Sequence, residues 1–394
     1  MQITNINYFE KNNKSVLSGQ LVLKNGKTHD VYFEVGREFK DFVAKDASPF
    51  LAASLGISMK KNEDLYVDGS VSERLMLNTN EIMKNLKSWG SEFKQISVEA
   101  SSIKKDLEKP KDVGCFFSGG ADSFYTYLKN KNKINYLIFV HGYDIDLKDL
   151  ELYKKIEKNI VKIANKEKVK LIGVKTNIRE TFEQYFDWSM SHEFALASVA
   201  LFIRCGLKEI YVSCGLPYKN RDHHYMTPDL DPLWSTESMK INHYGCDADK
   251  TSKLRFLSNY SLVIENLRVC WVNKKKQYNC CECEKCFRNM LSLYVANSLE
   301  KFKTFSKGLD LNKLKNTRIM KYNLTYFTSI LKDLKLKGDK SEVRNALEEC
   351  IKNNKRPNLQ QKIYRNTRDF IRYFDKKYSR NRMYWFLAKK GIIN

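Results

Sequence analysis

From residue 113 to residue 213 the chain changes texture every few residues. "VGCFF", "INYLIFVHG", "KVKLIGVKT" and "KEIYVSCG" read as buried strands, rich in β-branched and aromatic side chains. "DSFYTYLK" opens a helix, and "LKDLELYKKIEKNIVKIANKE" is a long amphipathic one with apolar residues three and four apart. "SHEFALASVALFIRCG" reads as a third helix, closed by Gly206 at its C′ position. Strand and helix taking turns predicts an α/β fold, a parallel doubly wound sheet with helices on both faces.

The flanks read differently. Residues 1–105 read as a β-rich N-terminal domain. In "GQLVLKNGKTHDVYFEV" an Asn-Gly pair sits between two strand-like runs, a strong hairpin signal. The "GKT" there is not a phosphate loop, because Leu21 stands where that motif needs its first glycine. "PFLAASLGISM" and "LYVDGSVSERLMLNTNEIMKNLKSWG" suggest short strands and one amphipathic helix. "EASSIKKDLEKPKD", charged and carrying Pro110, reads as a linker. Residues 215–255 read as a long polar and aromatic loop region. Residues 299–394 read as a basic α-helical domain, with "LTYFTSILKDLKLKG", "SEVRNALEECIKNN" and "LQQKIYRNTRDFIRYFDKKY" as its helices.

Charge follows this division. The net charge is +23, and residues 301–394 hold 25 Lys+Arg against 8 Asp+Glu, or +17. Such a field favours phosphate-rich partners: nucleic acid, a phosphorylated carrier or nucleotides. A lysine-rich proteome explains the same excess. The longest apolar stretch, "FALASVALFI", is far short of the ~20 residues that span a bilayer, so no membrane partner is expected. The N-terminus has no apolar h-region and reads as no signal peptide. Ten cysteines without a secretion signal point to a reducing compartment, to metal rather than disulfides, and to the cytoplasm.

Two motifs carry chemistry. In "CFFSGGADSFYTYL" a buried strand turns through Ser118, Gly119, Gly120, Ala121, Asp122 and Ser123 into a helix. Adjacent glycines let successive backbone N–H groups face one concavity, and the helix N-terminus adds positive charge. A plain strand-to-helix turn capped by Asp or Ser is the bland alternative. The second motif is Cys270, Cys280, Cys283 and Cys286, spaced C-x9-C-x2-C-x2-C. Thiolates at two-residue intervals wrap one tetrahedral ion, and a fourth arriving from a hairpin closes it. Zinc is expected there, and an iron–sulfur cluster is the alternative. Cys281 is surplus to this register.

The first motif resembles the PP-loop, the SGGxDS signature of ATP pyrophosphatases, and matches it at Ser118, Gly119, Gly120, Asp122 and Ser123. Together with the cysteine register it looks like the 7-cyano-7-deazaguanine synthase branch of that superfamily, over roughly residues 111–295 of a PP-loop domain placed at 111–298. The resemblance implies a Rossmann-like PP-loop domain that binds ATP and Mg²⁺. It implies a loop that holds the departing pyrophosphate, with Asp122 on Mg²⁺ or orienting the loop, and Ser123 among the catalytic groups. It implies adenylation of a carboxylate or carbonyl oxygen, then amide or nitrile formation. It places Val140, His141 and Gly142 at the nucleotide, although a histidine such as His141 is more often simply a satisfied polar residue at a strand end. His192 and Glu193 are candidates for substrate contact, with helix capping as the competitor. From their residue types, Arg221, Asp222, His223 and His224 read as a polar substrate wall; the paired histidines also suggest metal, but adjacent histidines on one strand point opposite ways. Lys250 and Lys253 are the basic residues brought to the phosphates, a solvated helix face being the alternative.

Two other functions fit the same sequence. One is thiolation of an RNA- or carrier-bound base, with Cys214 and Cys246 as nucleophiles and the basic tail on phosphates. The other is a nucleotide-binding, non-catalytic subunit of a larger assembly. The acceptor is unidentified in each.

Overall fold

A computed structural model describes residues 1–215, 228–273, 277–320 and 323–355. The chain divides into two compact units. The first comprises Met1–Ser118 and Thr126–Asp247, the second Gly119–Tyr125 and the chain from Ala248 onward.

The first unit is built on one mixed sheet. Its strands are β1 (Gln2–Lys11), β2 (Lys14–Val22), β3 (Thr28–Gly36), β4 (Leu65–Ser72), β5 (Val98–Lys104), β6 (Asp112–Phe116), β7 (Tyr136–His141), β8 (Lys170–Thr176), β9 (Leu207–Ser213) and β10 (Lys240–Tyr244). Among the described residues they form one ten-stranded sheet in the order β10-β9-β6-β7-β8-β3-β2-β1-β4-β5. Six of its nine pairings are parallel. The alternating region thus forms the parallel half, β10 through β8. The expected Asn25–Gly26 hairpin joins β2 to β3, with Gly26 at φ +78.

Five features differ from the expectations. The sheet runs unbroken from the N-terminal strands into the alternating region, because β3 pairs antiparallel with β8, Phe33 beside Thr176. "PFLAASLGISM" is not strand but the body of α1 (Ser48–Lys61), a helix buried from Ser48 to Met59. A helix apolar on every side has no 3.6-residue stripe, so periodicity cannot distinguish it from a buried strand. The stretch read as a linker contributes β5, parallel to β4. Past that strand, Asp106 accepts from Arg204 Nε at 2.8 Å and Thr236 Oγ1 at 2.9 Å, and Asp46 pairs with the same guanidinium. Burial alone would raise the Asp106 carboxyl, but Arg204 and the hydroxyls around it hold it below the ordinary range.

The helix containing "SHEFALAS" starts earlier and stops sooner than expected. The chain passes α2 (Glu73–Trp89), α3 (Ala121–Asn130), α4 (Leu150–Glu167) and α5 (Ile178–Phe182) before α6 (Trp188–Phe202). A 3-10 turn, Arg204–Gly206, then follows instead of a C′ glycine. Gly206 has a packing reason: a Cβ there would lie 2.1 Å from the Phe42 ring. Finally, the region read as loop carries β10, the edge strand beside β9.

The second unit is helical in its described residues: α7 (Lys250–Leu257), α8 (Ser261–Asn266), α9 (Glu284–Val295), α10 (Leu311–Asn316), α11 (Leu324–Leu336) and α12 (Glu342–Lys355). Two of the expected C-terminal helices correspond to α11 and α12, and "LQQKIYRNTRDFIRYFDKKY" lies outside the described residues. Among the described residues no helix is long and apolar enough to cross a membrane.

Candidate functional site

In the second unit the loop that opens α3 meets α7. Gly119 takes φ +75, a conformation that L side chains rarely adopt. Its carbonyl accepts the Arg268 amide at 2.8 Å. The Gly120 carbonyl accepts the Phe124 amide and the Ser123 hydroxyl, both at 3.0 Å. The amides of a first helical turn have no intrahelical acceptor, so this end of α3 is suited to an anion.

Asp249 caps α7, its carboxylate accepting the Ser252 amide at 2.8 Å. That fixes Lys250 and Lys253 three residues apart on one helical face. Both ammoniums reach Asp122: Lys253 Nζ donates to Oδ1 at 3.1 Å, and Lys250 Nζ donates to Oδ2. The two pairs span 131 and 128 residues of sequence. Lys253 is buried, its side chain 1% exposed, with its ammonium 5.4 Å from the Tyr125 ring centroid. Burial would push the Asp122 carboxyl up, but two cations and their hydrogen bonds override it and hold it well below the carboxylate range. Lys250 is pulled down to about 8, by burial first, with Lys253 and Arg288 adding to the pull and Asp122 opposing it. The asymmetry follows from composition: one carboxylate answers two ammoniums, so each cation is only partly neutralised. The excess positive charge favours an anionic ligand.

The four cysteines sit in the same unit and support this arrangement. Cys270, Cys280, Cys283 and Cys286 are buried, with all four sulfurs within 4.8 Å of one another. Cys270 Sγ lies 4.0 Å from Cys283 Sγ, and Cys280 Sγ lies 3.9 Å from Cys286 Sγ. Four thiolates bound at about 2.3 Å to one tetrahedral ion stand ~3.8 Å apart. The group therefore has the dimensions to hold a metal such as zinc. Backbone amides of Asn273, Cys283 and Cys286 donate to Cys270, Cys280 and Cys283 sulfurs at 3.3–3.4 Å. Hydrogen bonds from Cys280, Cys283 and Cys286 hold the Cys270 thiol well below its ordinary range, while contact with neighbouring cysteines pushes Cys283 and Cys286 well above theirs. Cys281 stands apart, at φ +58 with its thiol on the Asn279 carbonyl at 3.6 Å.

Cluster and loop are tied by short chain segments. Arg268, whose amide holds Gly119, lies two residues before Cys270. Asn279 fixes that segment: its Oδ1 accepts the Val269 and Cys270 amides, and its Nδ2 donates to the Leu267 carbonyl at 2.9 Å. At the other end Cys283 caps α9. Thr251 of α7 donates to Ser292 of α9 at 3.4 Å. Arg268 and Asn279 were not anticipated from sequence. Arg268 is 2% exposed, and its Nη2 donates to Asn273 Oδ1 at 2.8 Å. An arginine two residues before the first cysteine was the only available signal.

The remaining candidates lie in the first unit or outside the described residues. Val140 and His141 end β7, and His141 is buried, its Nε2 3.2 Å from the Asp146 carbonyl and its ring stacked 4.0 Å from Tyr153. Burial holds its pKa below the usual value. This is the satisfied strand-end histidine of the bland expectation. Gly142 takes φ +107, and a Cβ there would strike the Thr176 carbonyl at 2.0 Å. His192 packs edge-on to Trp188. Glu193 is 2% exposed, and its carboxyl is raised well above its usual value by burial first and then by Asp231. Neither it nor Ser191 caps α6, whose N-cap is Asp187. Arg221, Asp222, His223 and His224 lie outside the described residues. Cys214 and Cys246, expected reduced, are joined as a disulfide.

Comparison with family models, with curated proteins and with solved structures returned no match to this chain.

Proposed function

We propose that the chain is an ATP pyrophosphatase of the PP-loop type, acting in the manner of 7-cyano-7-deazaguanine synthases. The carrying observation is the convergence of Lys250 and Lys253 on Asp122 of the Ser118–Ser123 loop. A bare strand-to-helix turn needs no such pair of buried ammoniums. A loop that receives a polyphosphate does, since burying cations is costly unless an anion shares the site.

In this reading the first-turn amides of α3 hold the departing pyrophosphate, and the lysines neutralise the charge that grows on it. Asp122 keeps both lysines aimed at the loop. Mg²⁺, when bound with ATP, supplies further neutralisation of the phosphates. The acceptor's carboxylate or carbonyl oxygen attacks the α-phosphorus, the α–β bridging bond breaks, and pyrophosphate leaves. An amine or ammonia then displaces AMP. Val140–Gly142 and His192 enter this reading from the resemblance alone. The four-cysteine group is read as a structural zinc site. Its sulfur separations suit one ion better than a cluster of several irons, which spreads its thiolates around a larger body.

Product analysis tests the proposal. ATP should yield AMP and pyrophosphate with a carboxylate acceptor, and ADP with phosphate should be absent. Ser118→Ala and Asp122→Ala should each abolish pyrophosphate release. Unchanged release in both variants would remove the loop from the mechanism.

A second reading, sulfur transfer to an RNA- or carrier-bound base, is favoured by one observation, the pairing of Cys214 with Cys246. It predicts a persulfide on one of these residues when a persulfide donor is supplied to the reduced protein, the donor leaving as its thiol.

A further inference from the structure

At the edge of the sheet β9 and β10 run parallel, with His243 beside Val212 and Tyr244 beside Ser213. Cys214 directly follows β9, and its amide donates to the Tyr244 carbonyl at 2.8 Å. Gly245 takes φ +97 after β10 and turns Cys246 back toward Cys214, leaving their Cα atoms 5.4 Å apart. Both cysteines are therefore at the carboxyl ends of neighbouring parallel strands, where open α/β sheets bind ligands. A ring nitrogen of His243 and the two sulfurs all lie within 4.8 Å of one another.

The histidine supplies an independent pointer. Its side chain is 1% exposed, and its Nδ1 is 2.6 Å from Asp231 Oδ2. Its Nε2 is buried with no hydrogen-bond partner. A buried ring nitrogen without a partner is costly and calls for an occupant. With Nδ1 held by a carboxylate, Nε2 is the nitrogen left to ligate, as in carboxylate–histidine–metal arrangements.

We propose that Cys214, His243 and Cys246 form a second metal site, for a divalent ion of the zinc type, available when the two thiols are reduced and closed when they are joined. Two thiolates and one imidazole give three protein ligands and leave a fourth position for water or a small anionic ligand, unlike a closed four-cysteine site. Asp231 is a positioning residue that fixes the histidine ring. The exchange balances simply. The disulfide takes two electrons and two protons from a dithiol, which becomes a disulfide itself. The two thiols then release two protons as the ion binds. The disulfide-bonded chain described above is the closed form.

Elemental analysis of the full-length protein, with cobalt(II) spectroscopy, tests this. Under a non-chelating phosphine reductant the wild type should hold two ions per chain. Cys214→Ser/Cys246→Ser and His243→Gln should each hold one under the same conditions. Cys283→Ser should also hold one, at the three-ligand site, which separates failure here from failure of the four-cysteine reading. Asp231→Asn should weaken the second cobalt ion about 10- to 100-fold and alter its thiolate charge-transfer band. Should His243→Gln not fold, Cys246→Ala gives the same answer without touching the His243–Asp231 pair. One ion per chain in reduced wild type, with no change in the Cys214/Cys246 double variant, overturns the site. A reduced protein that, once the phosphine is removed, takes up no second ion and instead accepts sulfane sulfur on Cys214 or Cys246 from an added persulfide, which leaves as its thiol, overturns it in favour of sulfur transfer.

Discussion

The two sulfur groups of this chain reach similar local geometry by opposite routes. Cys280, Cys283 and Cys286 lie within seven residues of sequence, and only Cys270 arrives from outside. Cys214, His243 and Cys246 are assembled by strand pairing across a separation of 32 residues. The first group is a local fold in itself: amides of its own turns hold its sulfurs, and Cys283 caps α9. The second depends on a sheet edge being in register. A locally built site should therefore govern the stability of its surroundings, and a sheet-built one should tune a sheet that stands without it.

The largest expected effect attacks the first group. Chelation or Cys283→Ser should unfold residues 248–320 locally, since metal binding to structural cysteines is worth on the order of 10 kcal/mol. Hydrogen exchange would show protection lost there and retained in β6–β9; uniform protection throughout would dissolve the contrast. Next in size is Cys214→Ser in the oxidised protein. Losing a disulfide across a loop of this length should lower stability by about 4 kcal/mol by chain entropy, measured by denaturant melts that keep the four-cysteine metal. A loss as large as that caused by chelation would make the second group structural too.

The link from the first group to the anion loop can be sharpened separately. Lys253→Met keeps the buried volume and removes a cation, so pyrophosphate should bind roughly tenfold or more weakly by calorimetry, about 1.4 kcal/mol. The smallest effect is in pH. Lys250 is lowered by burial to about 8, so above that pH its free form loses the charge that meets an anion. The Lys250 contribution to pyrophosphate affinity, taken as the ratio of wild type to Lys250→Met at each pH so that the ligand's own ionisation cancels, should be flat below pH 8 and fall by at most about tenfold per unit above it. The same shift has the opposite sign for folding: the buried charge costs stability below pH 8, and this cost is relieved as the pH rises toward the unfolded value near ~10.4.

These contrasts also explain what could be read in advance. The Ser118–Ser123 turn and the four-cysteine spacing were legible because each is written within a few consecutive residues. Lys250 and Lys253 were legible as a basic pair but not as partners of Asp122 rather than of solvent. Strand β10 was missed because its five residues, "KINHY", show no apolar alternation. Helix α1 was missed because complete burial erases its stripe. His243 and Asp231 carried no local signal at all.

By itself the sequence determined the alternating strands and helices, the glycine turn at the head of α3 and the register of one cysteine group. Each of these depends on backbone preferences or ligand spacing across a few neighbouring residues. Only the tertiary structure decided that the N-terminal strands extend the same sheet through β3 and β8. It alone set two lysines against Asp122, and brought Cys214, His243 and Cys246 to one corner. Those outcomes arise from strand pairing and burial between segments far apart in the chain, where the free energy depends on which surfaces meet and not on which residues adjoin.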